Sequence, residues 1–105
     1  MKEFKGTKGE WLWEENSASD PNDSTCIEVR ANGPQIAYLQ SFTGFGDSHS
    51  REATIANANL IAAAPKMLEA LTSTLDEIGF WLSQQKPELR DKLVSAIAKA
   101  LGESK

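Results

Sequence analysis

The chain has 105 residues, of which 40% are hydrophobic and 25% charged, and its net charge is −4 at pH 7. This composition is ordinary for a globular protein and excludes a disordered chain, and no apolar run approaches the roughly 20 residues of a membrane-spanning helix. Lysines and arginines are scattered, so direct nucleic-acid binding, which needs a basic stripe, is not expected. At this length we expect a single domain over residues 1–105.

Two features indicate the compartment. The N-terminal residues include lysines but no apolar segment, so they do not form a secretory signal. Cys26 is the only cysteine, which excludes an internal disulfide and any cysteine-rich zinc site. We therefore expect a cytoplasmic protein in which Cys26 is a buried, unreactive thiol on a strand.

Alternating apolar residues predict three strands, over residues 10–15, 25–31 and 35–42. Trp11 and Trp13 share one face of the first strand, because successive side chains of a strand point to opposite sides. A loop over residues 16–24 and the turn Asn32-Gly33-Pro34 join the strands, since Asn-Gly adopts the positive φ of tight hairpins. Residues 10–42 are thus predicted to form an antiparallel β-meander.

The hydrophobic period changes to that of a helix at Ser50, a suitable N-cap, and residues 50–102 are predicted to form a helical unit. Pro65 is expected to end the first segment or bend it sharply. The buried side of this segment is predicted to contain Ala53, Ala56, Asn57, Leu60, Ile61 and Ala64.

The next segment is predicted to run to about Ser83, and Pro87 opens a last helix that Gly102 ends. Its expected apolar side contains Met67, Leu68, Leu71, Leu75, Ile78 and Leu82, and that of the last helix contains Leu89, Leu93, Ile97, Ala100 and Leu101. The predicted fold class is α+β: a small antiparallel three-stranded sheet followed by a bent helix and a C-terminal helix, which form a helical hairpin.

Residues 51–71 read REATIANANLIAAAPKMLEAL, and this stretch resembles a family of small proteins of tailed bacteriophages and prophages with the pattern NA-x-LIAAAP-x-x-LEAL. Gly9-Glu10-Trp11 stands where that family has Gly-Pro-Trp, and the run over residues 95–100 resembles a common ending. The resemblance implies a phage or prophage origin and the cytoplasm of a host bacterium. It defines no catalytic or ligand residue to carry over.

A glycine-containing stretch separates the last predicted strand from the first helix, and such a turn can hold a phosphate on backbone N–H groups. In this interpretation, an anionic ligand contacts Gly44, Gly46, Ser48, His49 and Arg51. A plain glycine linker is the alternative, because His49 replaces the third glycine of the motif. The residue types of a hydrolytic triad occur at Asp47, Ser48 and His49, but residues adjacent in sequence rarely form one, so we expect no enzyme. His49 is the sole histidine, so we expect no metal site and no cofactor.

Phe80 and Trp81 are predicted to be partner-binding residues, since Trp81 falls beside the apolar stripe of its helix and tryptophan is enriched in interface hot spots. Core packing is the expectation for Trp11 and Trp13. The apolar residues beside the main stripes, which include Val94 and Leu101, predict self-association, most simply as a dimer.

Three functions follow as hypotheses. The first is a non-enzymatic phage accessory protein that binds and modulates a host macromolecule, expected to be a host protein, in counter-defence. The alternative is an oligomer that binds a small ligand and sequesters a nucleotide signal between subunits. A virion assembly factor is the third.

Overall fold

The computed structural model describes residues 3–20, 22–41 and 49–103. Strands β1 (Trp11–Glu15), β2 (Cys26–Ala31) and β3 (Gln35–Gln40) precede helices α1 (Arg51–Gln85) and α2 (Pro87–Ala100). The α+β class is therefore confirmed. The chain divides into two compact units, one of residues Thr7–Pro65 and one formed by Lys66–Lys105 with Met1–Gly6. The single domain over residues 1–105 stays a prediction.

The sheet has the strand order β1-β2-β3, and both pairs are antiparallel, as a meander requires. The turn between β2 and β3 depends on Asn32 and Gly33, whose φ angles are 56° and 104°. These left-handed conformations suit glycine and asparagine, which explains why this pair ends β2. The predicted hairpin turn is confirmed.

One face of the sheet carries the core of the first unit. Trp11 pairs with Ala31 and Trp13 with Val29, so both tryptophans share this face as predicted. Ile27, Val29 and Ala31 are fully buried on it. Cys26 and Glu28 on the opposite face of β2 are buried as well, so the central strand is covered on both sides.

Ser50 caps α1, because its side-chain oxygen accepts a hydrogen bond of 3.1 Å from the backbone N–H of Ala53. The first part of α1 lies on the tryptophan face of the sheet: the indole N–H of Trp13 donates to Asn59 Oδ1 at 2.8 Å. The buried residues of this part are Thr54 and Ala58. The sequence predicted that the buried side also contains Ala56, Asn57, Leu60 and Ala64. That prediction was wrong, because these four side chains are exposed.

The helix continues through Pro65, which lies inside α1. The expectation that a new helix begins there was wrong. A proline in a helix removes one hydrogen bond and crowds the preceding turn. Packed residues on both sides of Pro65 offset that cost: Thr54 and Ala58 before it, and a cluster of leucines after it. A bend at Pro65 stays a prediction.

In the second unit, the C-terminal part of α1 packs against α2. The core contains Leu82, Leu93 and Ile97, with Leu68, Leu71, Leu75 and Leu101 packed against it. Leu101 therefore belongs to this core and not to an exposed patch beside it. Met67, Ile78 and Leu89 were predicted to lie on the packed sides, but about half of each side chain is exposed.

The end of α2 is set by Gly102, whose φ is 77°. Its backbone N–H donates to the carbonyl of Lys99, and the N–H of Glu103 donates to that of Ala98. These two bonds form a Schellman motif, which satisfies carbonyls at the helix end. The predicted role of Gly102 is confirmed.

Candidate protein-binding surfaces

The predicted ligand loop is only partly described. Gly44, Gly46 and Ser48 lie outside the described residues, so that part of the prediction stays open. His49 is exposed in a short turn just before Ser50, and Arg51 is the first residue of α1. The nucleotide site stays a prediction.

Arg51 connects the start of α1 to the sheet within the first unit. Its guanidinium donates to Thr25 Oγ1 at 3.0 Å and to Glu15 Oε1 at 2.5 Å. The hydrogen bond from Arg51 lowers the pKa of Glu15, and Glu15 in turn raises the pKa of Arg51. These contacts favour a structural role for Arg51 in holding the helix against β1 and β2.

A second polar cluster covers the other face of the sheet. Arg30 forms ion pairs with Glu14 at 2.9 Å and with the buried Glu28 at 2.5 Å, and Asn16 donates to Glu28 at 3.3 Å. The hydrogen bond from Arg30 is the largest cause that lowers the pKa of Glu28. A buried carboxylate must be paired to be tolerated, so these contacts explain how Glu28 remains charged inside the sheet.

In both clusters the buried polar side chains have hydrogen-bond partners within the chain. Within residues 3–20, 22–41 and 49–103, no buried side-chain nitrogen or oxygen lacks a hydrogen-bond partner. The same part of the chain has no group of three histidine, cysteine or acidic residues that could hold a metal ion. It also contains no helix of the length and apolar character needed to cross a membrane. The two most exposed large aromatic side chains of the described residues, Phe80 and Trp81, lie in the second unit.

The first surface surrounds Phe80, whose side chain is 82% exposed. Asp76 and Glu77 precede it by four and three residues in α1, and residues at these spacings are neighbours on a helix surface. Both acidic residues are exposed. The ring of Phe80 is thus flanked by the carboxylates of Asp76 and Glu77. We call these three residues the aromatic–acidic patch.

The second surface lies on another side of α1. Met67, Ile78 and Trp81 are 46%, 43% and 54% exposed, although all three are large and apolar. Together with Leu71 and Thr74 they form a line along the helix, which we call the neutral strip. On a helix of about 100° per residue, Phe80 points away from this line.

The two predicted partner-binding residues therefore belong to different surfaces. Phe80 lies in the aromatic–acidic patch and Trp81 at one end of the neutral strip. Sequence reasoning missed Asp76, Glu77 and Thr74, and it placed Met67 and Ile78 in the core. The spacing of the acidic residues before Phe80 was a signal that could have identified the patch.

The fold and these surfaces define a small α+β protein with two exposed candidate binding surfaces on one helix. The chain belongs to the family described as Salmonella phage P22 protein Y8K6, because the model of that family matches residues 1–104. The predicted relationship to small phage proteins is confirmed at this level. No curated protein matches the chain. No solved structure matches it either.

Proposed function

We propose that this protein is a non-catalytic phage accessory protein that binds a host protein in the bacterial cytoplasm. The observation that carries the proposal is Phe80, the most exposed of the large apolar side chains in the described residues. An aromatic ring left in water in this way has apolar area to bury, and aromatic residues are enriched in protein interfaces. Membership in a phage family supports an accessory role.

The neighbours of Phe80 define the chemistry of the partner. Asp76 and Glu77 are exposed carboxylates one helical turn before the ring. A complementary surface has an apolar pocket for the ring and lysine or arginine residues at its rim, because opposite charges orient the encounter and exclude other partners. The net charge of −4 acts in the same direction.

A basic surface with an apolar pocket is typical of proteins that hold nucleic acid in a groove. The proposed mode of action is therefore obstruction: the acidic patch covers such a surface on a host defence protein and keeps nucleic acid away. This mechanism assigns no bond-making step to the phage protein. Its effect depends on occupancy alone.

The test is affinity capture from host cells that express the tagged protein, followed by mass spectrometry. Wild type is compared with Phe80→Ala and with Leu12→Ala, which removes a side chain that is 60% exposed on the sheet. We expect a host protein that is captured by wild type and Leu12→Ala but lost with Phe80→Ala. If all three chains capture the host protein equally, binding does not depend on Phe80 and the proposal is contradicted.

A further inference from the structure

One edge of the sheet is β3, whose only neighbouring strand in the described part of the chain is β2. In an antiparallel pair, residues that bond to the neighbour alternate with residues whose N–H and C=O groups point away from it. Ser41, just after β3, donates its N–H to the carbonyl of Thr25 at 2.9 Å. The alternation then turns the main-chain groups of Gln40 and Tyr38 away from β2, toward the outer edge.

The bonds of β2 give the same assignment. Cys26 pairs with Gln40, and the carbonyl of Cys26 accepts the N–H of Asn16 at 2.8 Å, on the side of β1. Residues paired in this way both turn their main chain away from each other. The outer edge of β3 therefore presents two donors and two acceptors, those of Tyr38 and Gln40. Both residues are exposed, and these four groups have no partner among the described residues.

The second half of β3 also lacks the features that protect an edge from further pairing. Charged side chains, prolines and bulges are the usual protection. β1 ends in two glutamates, of which Glu15 is ion-paired with Arg51, whereas β3 contains no charged residue. Pro34 and the bulge lie at the start of β3, before Tyr38. The edge at Tyr38 and Gln40 is therefore open to another strand.

We propose that this edge binds a short extended peptide segment of another protein, which adds to the sheet as a fourth strand. Hydrogen bonds to the main chain of Tyr38 and Gln40 hold the segment, and this mode of recognition needs no fold in the ligand. The edge from Ala37 to Ser41 is about 14 Å long. Two folded proteins in a stable complex bury about 800 Å² each, which is more than such an edge offers. A linear segment, and not a second copy of this chain, matches its size.

The side chains of β3 indicate which segment fits. Tyr38 is 47% exposed, and the residue placed opposite its ring is favourably β-branched or aromatic. Leu39 is half-buried on the tryptophan face and favours an apolar residue opposite it. Since β3 is uncharged and the net charge of the chain is −4, the segment is neutral or basic. Phe80 lies in the other unit, so this binding is independent of the aromatic–acidic patch.

Amide hydrogen exchange measured by NMR tests the edge in the wild-type chain. The N–H groups of Tyr38 and Gln40 should exchange faster than those of Leu39 and Ser41, which bond to the β2 side. Slow exchange at Tyr38 and Gln40 at every protein concentration would show that the chain itself covers the edge. Protection that grows with protein concentration would show that a second copy takes it. Either result would overturn the proposal.

Peptide binding is tested with a displayed library of short random linear peptides. A selected peptide is labelled and titrated by fluorescence polarisation against wild type and three variants. Tyr38→Pro removes the outward N–H but none of the bonds to β2, whereas Tyr38→Ala keeps this N–H and removes the ring. Leu60→Ala is the control, because Leu60 is 59% exposed on α1 of the same unit.

We expect Tyr38→Pro to weaken peptide binding at least about 10-fold, Tyr38→Ala to weaken it less, and Leu60→Ala to leave it unchanged. The bound peptide should also slow amide exchange at Tyr38 and Gln40 in wild type, a result that does not depend on any variant. Circular dichroism shows that each variant is folded. A library that yields no binding peptide, or a peptide that binds Tyr38→Pro as tightly as wild type, would overturn the proposal.

Discussion

Ile97 is the residue of the second unit whose loss has the most predictable cost. Its side chain is 0% exposed and lies on α2 among Leu82 and Leu93. Replacement by alanine removes three carbon atoms, each worth about 0.8 kcal/mol of transfer free energy, and leaves a cavity. We expect Ile97→Ala to lower the free energy of unfolding by about 3 kcal/mol, a large fraction of the roughly 5 to 15 kcal/mol of a typical domain.

The assay is urea denaturation followed by far-ultraviolet circular dichroism, which reports mainly on α1 and α2. The matched control is Leu89→Ala on the same helix, where the side chain is already 52% exposed. We expect the control to cost less than about 1 kcal/mol. Equal losses for Ile97→Ala and Leu89→Ala would refute the assignment of Ile97 to the core.

The same experiment tests the single domain. Ile27 is the fully buried counterpart of Ile97 on β2. In a Trp81→Phe background, the fluorescence of Trp11 and Trp13 reports on the sheet alone. If the chain unfolds as one domain, Ile27→Ala and Ile97→Ala should each shift the urea midpoint by the same amount in fluorescence and in circular dichroism. Two separate transitions, each moved by only one of the two variants, would show that the units unfold independently.

Three further outcomes are expected. Gly79→Ala should change the free energy of unfolding by less than about 1 kcal/mol in thermal unfolding, because the helix preference of alanine is opposed by a tight contact of its Cβ with the packed side chain of Leu75, at 3.1 Å. Pro65→Ala should keep the fold and change the small-angle scattering profile, whereas an unchanged profile would count against a bend at this position. Glu15→Gln should lose stability relative to wild type at neutral pH. Because Arg51 lowers the pKa of Glu15 in the folded state, its contribution is present above the ordinary value of 4.5 and disappears as the pH falls through the lowered pKa. In urea titrations, the difference in unfolding free energy between wild type and Glu15→Gln should therefore shrink from pH 7 to about pH 3. A difference that does not change with pH would contradict this ion pair.

The sheet could be predicted from the sequence because its signals are local. Alternation places Trp11 and Trp13 on one face, and the Asn32-Gly33 pair supplies the positive φ angles of the turn. Ser50 and Gly102 likewise mark helix ends through their own hydrogen-bonding and backbone properties. Each of these features depends on residues close together in the chain.

The buried side of the first part of α1 could not be predicted in the same way. In the run ATIANANLIAAA, alanine and asparagine recur on every side of the helix, so the hydrophobic pattern has little contrast. Tertiary contacts decide the orientation: Trp13 bonds to Asn59, and Asn57 is left exposed. These contacts are long-range and leave no periodic signal.

The candidate surfaces show the same limit. Phe80 and Trp81 could be identified from their types and from the position of Trp81 beside the stripe. The sequence could not show that these two residues lie on different surfaces, because that depends on which leucines of α1 pack against α2. Once Leu68, Leu75 and Leu82 are placed in the core, Ile78 is left outside it.

The binding affinity of the captured host protein for this chain tests the central claim most directly. Isothermal titration calorimetry with the purified partner should give a dissociation constant that rises at least about 30-fold with Phe80→Ala, the effect of a hot-spot residue worth about 2 kcal/mol or more. Leu12→Ala should bind as wild type does, and added salt should weaken binding because of Asp76 and Glu77. Equal affinities for wild type and Phe80→Ala would contradict the account.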